Sequence, residues 1–116
     1  MDRGSIRREE LIAEIKDFMR RVGVARAIFF GSRARGDERP HSDLNLVLLD
    51  DRFEGRGLSR LLQELQARWK SDLHVEMLPC SPEQFEEMQE WNPLAREAAR
   101  RGIPIHVDLD DEEQTK

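Results

Sequence analysis

The 116-residue chain reads as one α/β (α+β) domain, a small mixed β-sheet with helices packed on it. Two observations predict this class. Runs with apolar residues at helical spacing alternate with short runs of strand period, in the order helix, strand, loop, strand, helix, strand, two helices and a last extended piece. Apolar residues make up 38% and charged residues 37%, enough for one modest core under a heavily charged surface and too little for a second.

The first element lies in residues 7–22, where Leu11, Ile12, Ile15, Phe18, Met19 and Val22 form one apolar stripe and Gly23 ends the helix. Residues 24–30 (VARAIFF) read as a short buried strand stopped by Gly31. Residues 31–42 (GSRARGDERPHS) have no apolar period and form a functional loop or a solvated connector. Residues 43–49 (DLNLVLL) alternate, so Leu44, Leu46 and Leu48 share one strand face and Asp43, Asn45 and Val47 the other. Leu58, Leu61, Leu62, Leu65 and Trp69 mark a second helix with core-facing side chains. Residues 72–78 (DLHVEML) form a third strand, with Leu73, Val75 and Met77 inward and His74 and Glu76 opposite. Pro82 suits the first turn of a helix carrying Phe85 and Met88, since its missing N–H is not needed there. A last helix from Pro93 to Arg101 ends at Gly102, before the extended piece Ile103–Val107. Residues 1–107 are thus one domain, and the acidic tail 108–116 (DLDDEEQTK) is expected to be disordered.

The net charge of −5 argues against a broad basic face that coats nucleic acid. A nucleotide would have to be held by a local cluster of cations. No apolar run reaches the roughly 18–20 residues of a membrane span, and the N-terminus lacks the apolar stretch of a secretory signal. Cys80 is the only cysteine, which excludes an intrachain disulfide and a cysteine-based zinc site. The cytoplasm is the expected compartment.

Chemistry concentrates after the first strand. Gly31 permits a sharp turn, and Ser32 can cap a short helix whose backbone N–H groups face outward. Such a terminus suits a phosphate, and Arg33 and Arg35 add two cations able to bind phosphate oxygens bidentately. Asp43, Asn45 and Glu76 point to one sheet face. An anion cradle facing oxygen ligands suits Mg²⁺ bridging a nucleoside triphosphate. His41, His74 and His106 lack metal-ligand spacing and read as surface residues, with His74 at the rim of the pocket. Cys80 reads as a packed thiol without a role, and Trp91 with Pro93 as core edge or a partner surface.

The stretch GSRARGDERPHSDLNLVLL resembles the signature of the minimal nucleotidyltransferases, within the DNA polymerase beta-like superfamily. The match rests on Gly31, Ser32, Arg35, Gly36, Ser42 and Asp43, with Asn45 where the family has its second aspartate. It continues in HVEMLPCSPEQF, where Glu76 takes the place of a third carboxylate, and in LAREAARRGIPIH, so that it spans roughly residues 8–107. The resemblance implies a polymerase beta-like nucleotidyltransferase fold and transfer of a nucleoside monophosphate, AMP by preference, from a triphosphate to an acceptor hydroxyl. It places the triphosphate on Gly31 and Ser32, with Arg33 and Arg35 as further phosphate contacts. It makes Asp43, Asn45 and Glu76 the catalytic and Mg²⁺-binding set, with Glu76 as third ligand or general base. It also implies a HEPN-type helical protein partner, because minimal family members carry no acceptor domain, and the setting of a toxin–antitoxin module. Asn45 keeps two functions open. One is the enzyme; the other is a catalytically degraded, antitoxin-like module that neutralises or scaffolds a partner by contact. An exposed site face leaves homodimerisation open.

Overall fold

A computed structural model describes residues 7–109. Its elements are α1 (Arg8–Val22), β1 (Arg26–Phe30), α2 (Ser32–Arg35), β2 (Leu44–Leu49), a 3₁₀ turn (Asp51–Phe53), α3 (Leu58–Arg68), β3 (Val75–Cys80), α4 (Pro82–Met88), α5 (Pro93–Arg101) and β4 (Ile103–His106). The strands form one mixed sheet in the order β3-β2-β1-β4. β1 is antiparallel to β2 and β4, whereas β2 and β3 run parallel through the α3 crossover. The expected mixed sheet with packed helices is therefore what forms.

Two apolar layers sandwich the sheet. On one face, Leu11, Ile15, Phe18 and Met19 of α1 and Leu61 and Leu65 of α3 pack on Ala27, Phe29, Leu44, Leu46, Leu48 and Val75. On the other, Phe85 of α4 and Ala95 and Ala98 of α5 pack on Phe30, Val47, Leu49 and Cys80. Burying one large aliphatic or aromatic side chain contributes about 1.5–3 kcal/mol, which is why the period-two alternation fixes which face each strand residue takes. Local signals set the ends. Gly23 closes α1 in the left-handed region at φ 74°. Ser81 and Gln84 form a reciprocal capping box at α4, with Pro82 in its first turn. Asn92 accepts from Leu94 and Ala95 N–H at α5.

The structure departs from the sequence expectation in three places. β3 begins three residues late and runs to Cys80. The chain before it is used to seat Trp69, whose indole Nε1 donates to the Leu73 carbonyl at 2.9 Å. Pro79 is tolerated inside β3 because this strand lies at the sheet edge, where no ladder N–H is required on the outer side. Leu58, expected in the core, is 53% exposed at the first residue of α3 and lines an open groove with Met88 and Trp91. Trp69 falls just past the end of α3 and packs edge-on against Phe18, ring centroids 5.3 Å apart. The expected tail falls outside the described residues from position 110 onward, while Leu109 still packs against the core.

Along the second face, burial runs in one direction. Asn45 is half-buried while Val47 and Leu49 are buried, and Glu76 is exposed while Cys80 is buried. On this face α4 packs on β3 and α5 chiefly on β1, which leaves less cover over the start of the two parallel strands. Their N-terminal ends remain open.

Candidate active site

The open end is built by the junction after β1. Gly31 has φ 91° and ψ −166°, a region essentially restricted to glycine. A Cβ there would collide with the amide of Asn45, so Gly31 supplies both the turn and the room for Asn45. Gly31 also occupies the N-cap position of the one-turn helix α2, with no side-chain cap. Ser32 is thus the first helical residue, not the cap expected from sequence, because the turn must be made one residue earlier. Arg8 of α1 holds α2 in place by donating from Nη1 to the Ala34 carbonyl at 2.6 Å.

Strand register then assembles the polar groups. Asn45 is opposite Phe30 on one side and Glu76 on the other. Asp43 immediately precedes β2, and its Oδ1 lies 3.1 Å from Nδ1 of His74. Leu44 N–H donates to the His74 carbonyl at 3.0 Å, which keeps the two segments in step. Asp43, His74 and Glu76 each offer a ligand atom, and these atoms all lie within 4.8 Å of one another, open to solvent. Two carboxylates and an imidazole converging at this distance suit a divalent cation. His74 is the residue that sequence spacing did not select as a ligand. Its signal was its place two residues before Glu76 on the same strand face.

The two loop arginines are both engaged by protein groups. Arg33 is 1% exposed. Its Nε donates to the Ser42 carbonyl at 2.8 Å and its Nη2 to the Pro40 carbonyl at 3.3 Å. Its guanidinium thus braces the loop that delivers Asp43, and its burial turns it away from the solvent side where phosphate was expected. Arg35 reaches α5, pairing with Glu97 at 2.7 Å. There it lines an open cleft of about 570 Å³ with Arg96, Arg100 and Arg101. These α5 arginines are a cation cluster that the sequence alone did not single out, although Arg96 and Arg100, four residues apart, share one side of the helix. Cys80 is buried, and burial pushes its thiol up to about 12, so it stays protonated and unreactive at neutral pH. No described helix is long and apolar enough to cross a membrane.

A mixed four-stranded sheet, a Gly–Ser turn leaving β1 and acidic groups at the adjoining strand ends are together the architecture of a nucleotidyltransferase. Residues 12–106 match the nucleotidyltransferase domain family, and the chain belongs to it. Among solved structures, the fold is similar to that of a protein from Sulfolobus solfataricus with a provisional nucleotidyltransferase description. That likeness has a TM-score of 0.52 and 16% identity, covering 72% of this chain and 74% of the other. No curated protein is significantly similar in sequence to the chain.

Proposed function

We propose that the protein transfers a nucleoside monophosphate, AMP, from a triphosphate to an acceptor hydroxyl. The observation that carries this is the contact between Gly31 and Asn45, which sets the Gly–Ser turn directly against the strand ends bearing Asp43 and Glu76. The triphosphate lies along the Gly31–Ser32 backbone, and Asp43, Glu76 and the Asn45 amide oxygen face its α-phosphate. A divalent ion, Mg²⁺ by family resemblance, would neutralise phosphate oxygens here. Glu76 accepts the proton of the attacking hydroxyl. The acceptor oxygen bonds to the α-phosphorus, the bond to the bridging oxygen breaks, and pyrophosphate leaves. Arg33 contributes by positioning the Asp43 loop.

The acceptor hydroxyl belongs to a protein partner, a HEPN-type helical one by the same resemblance. The arginine cleft of α5 and the neighbouring Trp91 and Leu94, 69% and 58% exposed, support a partner face on that side. The neutral Asn45 supports a second reading, an antitoxin-like module that binds the same partner without catalysis. Incubating the full chain with α-labelled ATP and the product of a neighbouring reading frame tests both. Label transfer with pyrophosphate release, lost in Asp43→Ala, is the expected result. A stable complex that forms equally with Asp43→Ala and never acquires label assigns the second reading. Amide shifts on adding ATP that bypass Gly31 and Ser32 would defeat the placement of the nucleotide.

A further inference from the structure

His74 has no structural task that requires an imidazole. Its ring is 68% exposed, and the exposed pair it makes with Asp43 is of a kind that contributes little to folding. What holds the backbone there is the bond from Leu44 N–H to the His74 carbonyl, which any residue could accept. Yet the ring nitrogen sits where a metal ligand would. Donor atoms in adjacent positions on an octahedral ion, with bonds of about 2.1 Å, are about 3.0 Å apart. The Nδ1 of His74 and Oδ1 of Asp43 are 3.1 Å apart, and the Glu76 carboxylate closes the triangle within 4.8 Å. Across the strand pair, Asn45 offers a neutral amide opposite Glu76 where the family resemblance expects a carboxylate.

We infer that His74 is a protein ligand of the divalent ion, standing in for the carboxylate that Asn45 lacks, and that the site therefore selects a transition-metal ion over Mg²⁺. The inference rests on the nucleotidyl-transfer reading, which supplies the triphosphate oxygens for the remaining coordination positions. Mg²⁺ favours oxygen donors and gives up its waters reluctantly. Imidazole binds later first-row ions more strongly, in the order Mn²⁺, Co²⁺, Zn²⁺. Exchanging one carboxylate for one imidazole lowers the charge attraction for every divalent ion but restores a strong donor only for those that accept nitrogen. The neutral amide of Asn45 and the imidazole of His74 thus shift the preference of the site in the same direction.

The test uses the untagged, ¹⁵N-labelled full chain as wild type, His74→Ala and Asn45→Asp. Mn²⁺ is titrated with and without unlabelled ATP, followed by electron paramagnetic resonance, and Mg²⁺ and Co²⁺ by competition. Pulsed measurements read ¹⁵N coupling to bound Mn²⁺, which separates a protein nitrogen from those of adenine. The expected result is ¹⁵N coupling in wild type that disappears in His74→Ala. Affinity for Mn²⁺ and Co²⁺ should fall tenfold or more in that variant, and Mg²⁺ affinity less than threefold. Circular dichroism of the variant controls for folding. Bound Mn²⁺ without ¹⁵N coupling, with the Mn²⁺ to Mg²⁺ preference unchanged in His74→Ala, overturns the role of His74 and leaves nucleotidyl transfer standing. Failure of all three proteins to bind metal or ATP overturns that underlying reading as well.

Discussion

Replacing Asn45 by Asp should change the sign of an energetic effect according to whether metal is present. Asn45 is in direct register with Glu76, and Asp43 lies two residues before it on the same strand face. Like charges opposite one another on neighbouring strands destabilise by about 0.2–1 kcal/mol, so without metal the variant should melt a few degrees lower. For a domain near 100 residues, about 1 kcal/mol corresponds to roughly 4 °C. With a divalent ion the balance reverses. Two unit charges 4 Å apart interact by about 4 kcal/mol at an effective dielectric near 20, and a doubly charged ion gains more, offset by desolvation of the new carboxylate. A net gain of at least tenfold in Mg²⁺ affinity, about 1.4 kcal/mol, is the expected remainder. The side chains are nearly isosteric, so the packing against Gly31 is preserved. Scanning calorimetry across a Mg²⁺ series, in the presence of a nonhydrolysable triphosphate, should therefore show two melting curves that cross: variant below wild type at zero metal and above it at saturation. Adenylylation should rise in parallel. Equal Mg²⁺ affinity and parallel melting temperatures would refute the placement of Asn45 in the cation site.

Gly31→Ala should lose about 1–3 kcal/mol from backbone strain alone, and the displaced Asn45 should cost triphosphate binding beyond that, read by calorimetric titration. Arg33→Ala should lower the melting temperature substantially, since it empties the space of a buried side chain and removes charged-donor hydrogen bonds to Ser42 and Pro40, each worth about 1.5–3 kcal/mol. Arg33→Lys should recover little of it, because one ammonium cannot reproduce the forked contact to Ser42 and Pro40. Asp50 gives a pH signature: the hydrogen bond from Arg52 holds its carboxyl below the usual range. A depressed value stabilises the fold above the unfolded value of about 3.9 and is lost as pH falls through the lower folded one. Wild type should thus melt above Asp50→Asn at neutral pH, and the gap should close as the pH drops below about 4.

Much of the fold is legible in the chain because its signals are local. The stripe from Leu11 to Met19 can bury only one side of α1, and the alternation Leu44, Leu46, Leu48 can send its polar partners only to the opposite face. Ser81 with Pro82, and Asn92 with Pro93, announce their helices because caps are satisfied within a few residues. The Gly–Ser turn and the positions of Asp43, Asn45 and Glu76 at one end of the sheet were legible for the same reason, as a glycine turn followed by polar residues at strand period.

Pairing across long stretches of chain was not encoded in that way. The order β3-β2-β1-β4 puts Asn45 opposite Glu76 and brings His74 to Asp43 across 31 residues of sequence. No local spacing reports that contact, so His74 looked like an ordinary surface residue. Arg33 had the composition of a phosphate contact, and only the folded loop shows its guanidinium enclosed by the carbonyls of Pro40 and Ser42. Leu58 matched the apolar period of α3, yet its helix begins at that residue, where it stays exposed at a groove instead of entering the core. Period and turn chemistry depend on neighbours along the chain and are fixed by sequence. The partners of a charged or titratable side chain depend on which distant segments the sheet and its helices bring within a few ångströms, and the tertiary structure alone decides that.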